Sequence, residues 1–482
     1  MADRPNVLVL VDDEHRPDVL GYAGDDMVRT PNLDRLAEDA CVFENAYTPS
    51  PVCSPARQCL RTGELPLTCG CPGWSGLDAD APTYPRRFAE YGYRTAAAGK
   101  SHFEGSDAFM GWDTRIGRTG SNESIDRQVD LDLRKNKWSD AKEIKRAGVG
   151  HHRGKQDEYA ITGLEHYIER SFLDTYYDRC HPDRPTLLKA SLVQPHYPYY
   201  ASDEEAFQYY LNRVEPFVEE APDHDGLAER EVTVGPDAEV TEREVRRATA
   251  AYYAMVEHAD RQYGRVLDAL ERAGEDLDEW IIVFTSDHGE MLGEHGVWEK
   301  RSFYEASAGV PLFVRWPEHF EGKRIDANVT LTDLFATLCD LADLPVHDGE
   351  ARDSRSLVPL LEGNDEEWDT RYPADEAVSA YVRRVMVKRG DLKYVHFPRE
   401  PYDSDAVHFD PGPGERSFVV DEKAGGYDGG DVLFDLSEDP GERTNLVDDP
   451  AYAGVVSEFR DRVAELGYGP EADTGYTDAG YA

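Results

Sequence analysis

Asn6-Val7-Leu8-Val9-Leu10-Val11-Asp12-Asp13 is the stretch on which the fold turns. Val7 to Val11 are apolar without interruption, which leaves no face for water. That is the pattern of a strand buried on both sides, and it is typical of parallel sheets covered by helices. Leu187 to Val193 and Trp280 to Thr285 repeat it, and Tyr93 to Ala98 and Val310 to Arg315 read as further strands. Between them, Thr30 to Ala37 carries a proline at a helix start, and Tyr84 to Tyr91 and Glu242 to Ala273 have helical spacing. Strands alternating with helices predict an α/β fold, a doubly wound, mostly parallel sheet with helices on both faces.

The pattern changes near Asn364-Asp365-Glu366-Glu367, read as an acidic linker between a large domain, 1–365, and a smaller C-terminal one, 366–482. Val385 to Phe397 and Val432 to Phe434 predict strands of an antiparallel sheet in that α+β domain. A final helix is expected over Val455 to Leu466, with Val455, Phe459, Val463 and Leu466 on one apolar face. Two polar stretches, Gly117 to Lys155 and Glu215 to Pro236, read as insertions or long loops, where specificity often lies. No internal repeat is present.

Composition narrows the function classes. Against 52 basic residues stand 96 acidic ones, a net charge of −44 spread along the 482-residue chain. No basic stripe offsets it, which disfavours a nucleic-acid partner. Such a charge repels itself in dilute buffer and is screened in concentrated salt, so a halophilic, solvated acidic surface is expected. The seven cysteines, Cys41, Cys53, Cys59, Cys69, Cys71, Cys180 and Cys339, are odd in number and irregularly spaced, unlike a disulfide framework. Cys69-Gly70-Cys71 is too tight for an ordinary zinc pair. The start of the chain lacks the charged and apolar regions of a signal peptide, and no run approaches the ~20 apolar residues of a membrane span. A cytoplasmic protein without a membrane partner is the expectation.

Chemistry-bearing residues gather at strand ends. Asp12-Asp13 follows the first strand and Asp287-His288 a later one. In open α/β sheets ligands bind beyond the carboxyl ends of strands, so three carboxylates and an imidazole there would form a divalent-metal site. Lys100 and His102 lie two apart just after another strand, and His196 follows Leu187 to Val193 in a proline-stiffened turn. Lys300 comes soon enough after His288 to return to the same pocket. Singly each has an ordinary reading as a cap, a packed histidine or a solvated lysine. Jointly they suit an anionic substrate.

Cys53-Ser54-Pro55-Ala56-Arg57-Gln58-Cys59-Leu60-Arg61-Thr62-Gly63 resembles the signature of the sulfatase family of the alkaline phosphatase superfamily, C-x-P-x-R-x-x-L-x-T-G. The segments above match in family order, and Asp435-Leu436-Ser437-Glu438-Asp439-Pro440-Gly441-Glu442 with Asn445-Leu446 resembles its C-terminal signature. The resemblance implies that a maturation enzyme converts Cys53 to formylglycine, whose hydrated aldehyde attacks sulfur. It implies that Asp12, Asp13, Cys53, Asp287 and His288 hold one divalent metal ion, calcium ahead of manganese or zinc. His288, where many sulfatases have asparagine, looks more like the choline sulfatase and phosphonate monoester hydrolase branches.

By the same resemblance Lys100 and Lys300 bind the sulfate, and His196 with Lys300 protonates the leaving oxygen. His102 serves as base, and Arg57 holds the formylglycine and the carboxylates. The reading is a sulfuric ester hydrolase acting on a small-molecule sulfate ester. Its rivals are a phosphonate monoester or phosphodiester hydrolase on the same scaffold, and a non-catalytic binding protein with Cys53 left as thiol.

Overall fold

The structure, a computed structural model, describes residues 4–73, 76–102, 109–117, 140–172, 184–217, 232–371, 375–397 and 430–468. Residues 118–139 and 218–231, the centres of the two expected insertions, lie outside these, as does Cys180. Fourteen strands are present among the described residues. The first seven are β1 (Val7–Asp13), β2 (Cys41–Tyr47), β3 (Arg94–Gly99), β4 (Thr114–Ile116), β5 (Gly148–Val149), β6 (Thr186–Pro195) and β7 (Tyr200–Ala201). The others are β8 (Ile281–Ser286), β9 (Leu312–Arg315), β10 (Lys323–Thr330), β11 (Glu376–Tyr381), β12 (Arg384–Arg389), β13 (Leu392–His396) and β14 (Val432–Asp435).

Eight of them form one sheet in the order β10-β2-β9-β8-β1-β6-β3-β4. Its pairs are parallel except those of β9, which runs against both β2 and β8. The unbroken apolar run of β1 divides between the two faces. Val7, Val9 and Val11 join one core with Leu60, Phe88 and Leu334, and Leu8 and Leu10 join the other with Leu33, Ile161 and Tyr263. Helices cover both faces: Cys53–Thr62, Tyr84–Glu90 and Asp333–Leu341 on the first, and Pro31–Ala37, His152–Phe172 and Glu242–Arg272 on the second. The sheet is thus doubly wound, and no helix among the described residues is long and apolar enough to cross a membrane.

The chain after β10 corrects the expected linker. Its acidic run opens a helix, Asp365–Arg371, whose Trp368 is buried in the first core. Three carboxylates in a first turn favour a helix start, since they meet its unpaired N–H groups and positive end. Likewise, part of the expected first insertion is helical: Asp140–Arg146 lies within it, and His152–Phe172 begins there. The antiparallel sheet β11-β12-β13-β14 follows, and helix Ala453–Glu465 packs on it through Val456, Phe459 and Val463. Val456 takes the fully buried place expected for Val455, while Val455 and Leu466 are half-buried.

The C-terminal signature lies against the main body. Buried Lys393 on β13 pairs with Glu305 at 2.7 Å and with Glu442. Glu442 in turn accepts the Glu305 backbone N–H at 2.7 Å, and Tyr47 at the end of β2 donates to Glu305. The last acid of that signature therefore caps the short helix Glu305–Ala308, five residues beyond Lys300.

Candidate active site

Four adjacent parallel strands, β8, β1, β6 and β3, end side by side. Register pairs Asp12 with Ser286, Asp13 with Pro195 and Gly99 with Ser191. Asp287, Asp13, His196 and Lys100 therefore emerge at one edge. Two glycines shape it. Gly99 has φ 84°, and a Cβ there would collide with the Ser191 carbonyl, which accepts the Lys100 N–H at 2.8 Å. A Cβ on Gly289 would strike the Ala306 carbonyl, so only glycine lets the chain turn after His288.

Cys53 arrives from another direction, as the first residue of the buried helix Cys53–Thr62. Its Sγ lies 3.1 Å from His288 Nε2, 3.2 Å from Lys300 Nζ and 3.5 Å from an Asp13 oxygen. One turn on, Arg57 ties the strand ends together. Its Nε donates to Asp287 at 2.6 Å, one terminal nitrogen donates to Ser191 Oγ at 2.8 Å and to the Lys100 carbonyl at 3.2 Å, and the other stands 3.5 Å from Asp13. A guanidinium suits this because its donors are fixed in one plane and always charged.

Asp13, Cys53, Asp287 and His288 form a buried group whose donor atoms all lie within 4.8 Å of one another. His288 Nδ1 faces the Gly289 carbonyl at 2.9 Å, which can only accept. The proton is therefore on Nδ1, and the Nε2 lone pair points at the group. Burial pulls the His288 pKa down to about 3, against the opposing pull of Asp287. Burial alone would raise Asp287, but Arg57 and His288 outweigh it and leave the carboxyl well below its usual range.

Asp12 does not join this group. Its carboxylate accepts from Tyr263 at 2.5 Å and faces His15 Nδ1 at 2.7 Å on the other side of β1. Adjacent residues of a strand point to opposite faces, and the two carboxylates part in that way here. Neither Tyr263 nor His15 carried a sequence signal, although His15 is three residues from Asp12.

Lys300 does return to the pocket. Its loop is tied down by the Arg301 N–H to the Pro51 carbonyl at 3.1 Å and the Met291 N–H to the Glu299 carbonyl at 2.8 Å. Its ammonium lies 2.9 Å from Glu14, 3.2 Å from Cys53 and 2.8 Å from His196 Nε2. Burial lowers its pKa, but Cys53 and Glu14 outweigh that and carry it above the usual lysine range. His196 Nδ1 faces the Tyr197 carbonyl at 2.5 Å, so Nδ1 holds the proton and Nε2 accepts from Lys300.

Glu14 is the residue the sequence reading missed. It is buried, adopts φ 66°, donates its N–H to Asp287 at 3.2 Å, and its carboxylate accepts from Lys300. With Asp13 and His196 it forms a second cluster of donor atoms within 4.8 Å. The signal available was the third acid in the Asp12-Asp13-Glu14 run.

Lys100 Nζ contacts the Asp13 carboxylate. His102 is buried nearby with φ 50°, so a bend, not an extended strand, brings it in. Burial, then Lys100 and Arg57, hold its pKa far below the usual histidine value.

Known proteins resemble this chain along most of its length. The family model described as "Sulfatase" matches residues 5–344, and one described as "N-sulphoglucosamine sulphohydrolase, C-terminal" matches 293–425. A choline-sulfatase of Rhizobium meliloti is 30% identical over 95% of this chain and 86% of its own length. An arylsulfatase of Clostridium perfringens is 27% identical over 98% and 96%. Among solved structures, a protein in complex with its substrate D-glucosamine-2-N,6-O-disulfate superposes with TM-score 0.70 and 20% identity, covering 96% of this chain and 97% of that one. The phosphonate monoester hydrolase of Agrobacterium radiobacter gives 0.68 and 22%, covering 96% and 95%. These two likenesses speak to fold alone.

Proposed function

The chain belongs to the sulfatase family, and from that premise we propose that it hydrolyses a sulfate ester to an alcohol and inorganic sulfate, with Cys53 matured to formylglycine beside a divalent cation. The observation that carries this reading is the position of Cys53. It heads a buried helix, with an imidazole, an ammonium group and a carboxylate around its sulfur. An oxygen at that place meets the same three groups, so the surroundings fit an aldehyde hydrate.

The donors fit a cation as well. Asp13, Asp287 and His288 offer two carboxylates and an unprotonated imidazole nitrogen, together with residue 53. Carboxylates suit calcium, and the imidazole suits manganese or zinc equally. The cation supplies Lewis acidity toward the sulfate oxygens, and formylglycine supplies two hydroxyl groups, one for attack and one for release.

The remaining tasks fall to the chain. Lys100 and Lys300, both buried, are placed to meet the negative charge of the ester. His196 presents a lone pair to the Lys300 ammonium, so of the two it is Lys300 that carries the proton between them. The acid role is given to His196 with Lys300, the 2.8 Å contact between them supporting a shared task. His102, neutral at working pH, accepts a proton during release. Arg57 fixes Asp287 and Asp13.

Two measurements test the reading. One is the ratio of kcat/KM for aryl sulfate to that for aryl phosphonate and phosphodiester substrates, followed by a panel of choline, carbohydrate and aryl sulfates. A strong preference for phosphorus esters transfers the assignment to the rival hydrolase. The other is the mass of tryptic peptide 36–57, which bears Cys53. A plain thiol there, in protein from its native host and with no turnover, favours the binding protein. Removing divalent metal with a chelator should take turnover to background, and re-adding calcium, manganese and zinc separately should restore it with one of them. Metal analysis alongside rate checks this.

We further propose that the acidic surface is an adaptation to concentrated salt. The midpoint of thermal unfolding should climb as potassium chloride rises from the millimolar to the molar range, where the Debye length shrinks to about 3 Å. Differential scanning calorimetry across that range checks it, and a flat profile removes the halophilic reading.

A further inference from the structure

Cys69-Gly70-Cys71, too close-set to hold zinc alone, acquires a third thiol in the folded chain. Cys59 lies on helix Cys53–Thr62, and its Sγ stands 3.9 Å from that of Cys69. The thiols of Cys69 and Cys71 are themselves hydrogen-bonded. The loop that carries them is folded back on itself, with the Cys69 N–H on the Leu65 carbonyl at 3.0 Å and the Cys71 N–H on Pro66 at 2.8 Å. Cys59 and Cys71 are buried, whereas Cys69 is half-buried and gives solvent a way in.

A disulfide holds its sulfurs ~2.05 Å apart, so closing the observed gap takes a movement of about 2 Å, within the reach of side-chain rotation. We infer that Cys59 and Cys69 form a dithiol–disulfide site that a small-molecule disulfide oxidises in the folded enzyme. In the first step the Cys69 thiol loses its proton to solvent, and the thiolate attacks one sulfur of the small disulfide, releasing one thiol. Cys59 then loses its thiol proton to solvent, and its thiolate attacks Cys69 Sγ, forming the Cys59–Cys69 bond and expelling the second thiolate, which takes up a proton as the first did. Two electrons leave the pair, and one disulfide becomes two thiols. The Cys59 contact raises the Cys69 thiol, and burial raises that of Cys59. Exchange is therefore faster in mildly alkaline buffer than at neutral pH.

The place of the bond gives it a consequence. One partner sits on the helix that begins with Cys53 and carries Arg57. The other sits on a loop whose Leu65 packs with Val456, Phe459 and Tyr468 under the C-terminal helix. Oxidation stitches the helix of the active site to that cluster without touching the reacting groups.

The test treats the folded full chain with oxidised glutathione, blocks free thiols, and digests with trypsin without reduction. Arg57, Arg61 and Arg86 put Cys59 on peptide 58–61 and Cys69 with Cys71 on peptide 62–86. The expected product joins the two peptides, disappears with dithiothreitol, survives in Cys71→Ser and is absent in Cys69→Ser, which keeps basal activity. A disulfide confined within peptide 62–86, a persistent glutathione adduct on Cys69, loss of the link in Cys71→Ser, or three free thiols after oxidation overturns the inference. Cys69→Ser changes a half-buried position, so the test does not depend on the deeper Cys59 variant folding.

Discussion

Replacing Cys53 with alanine is expected to abolish sulfate ester hydrolysis, with a loss on the order of 10⁶ in kcat, as for removal of the nucleophile in a concerted catalytic unit. The structure gives the reason that nothing nearby can substitute. Ser54, the next residue, is buried one step along the same helix, and a helix places successive side chains about 100° apart. Cys53→Ser is the sharper variant. It restores a hydroxyl in contact with Lys300 and His288 but offers one hydroxyl where the mechanism uses two. A single burst of alcohol release without steady turnover is expected from it, read by stopped-flow with an aryl sulfate. Sustained turnover by Cys53→Ser at a rate near wild type removes formylglycine from the mechanism.

Lys300→Ala is the second large effect. The ammonium has three N–H groups and three acceptors, Glu14 at 2.9 Å, Cys53 at 3.2 Å and His196 at 2.8 Å. Its loss removes a fixed, buried charge and the proton that the proposed mechanism directs to the leaving oxygen. A drop of about 10²–10³ in kcat/KM is expected from the electrostatic part alone. The two parts separate on changing the leaving group. An ester of a very acidic phenol needs no proton and should lose less than an alkyl sulfate. Equal losses on both assign Lys300 to anion binding only. Lys300→Arg should not rescue, because a planar guanidinium cannot direct donors to three acceptors placed around a point.

The sequence was most legible where chemistry coincided with a strand end. Asp13, Asp287, His196 and Lys100 each follow an apolar run, and the parallel sheet brings those ends together. The metal group needed one thing more, the face on which each side chain lies. An acid pair conceals that: Asp12 was expected beside Asp13 as a ligand, and its carboxylate here meets Tyr263 and His15. Glu14 was hidden because its role arises from a left-handed backbone turn and from Lys300, 286 residues away. Strands such as β10, Lys323–Thr330, were missed because they alternate polar and apolar residues at the sheet edge, without the continuous run of β1. The acidic run at residues 364–367 misled because a helix start and a linker share the same residues.

The seat of Lys300 also bears on how many ions each chain takes up. Asp13, Glu14 and His196 could serve a second ion, yet the lysine's own positive end already lies among them. A tethered ammonium in that seat should make the stoichiometry one ion per chain even in excess metal. It should also make the Lys300→Ala protein a different kind of molecule, one with room for two. Equilibrium dialysis of both proteins against manganese distinguishes the cases, with one ion expected in the wild type and two in the variant.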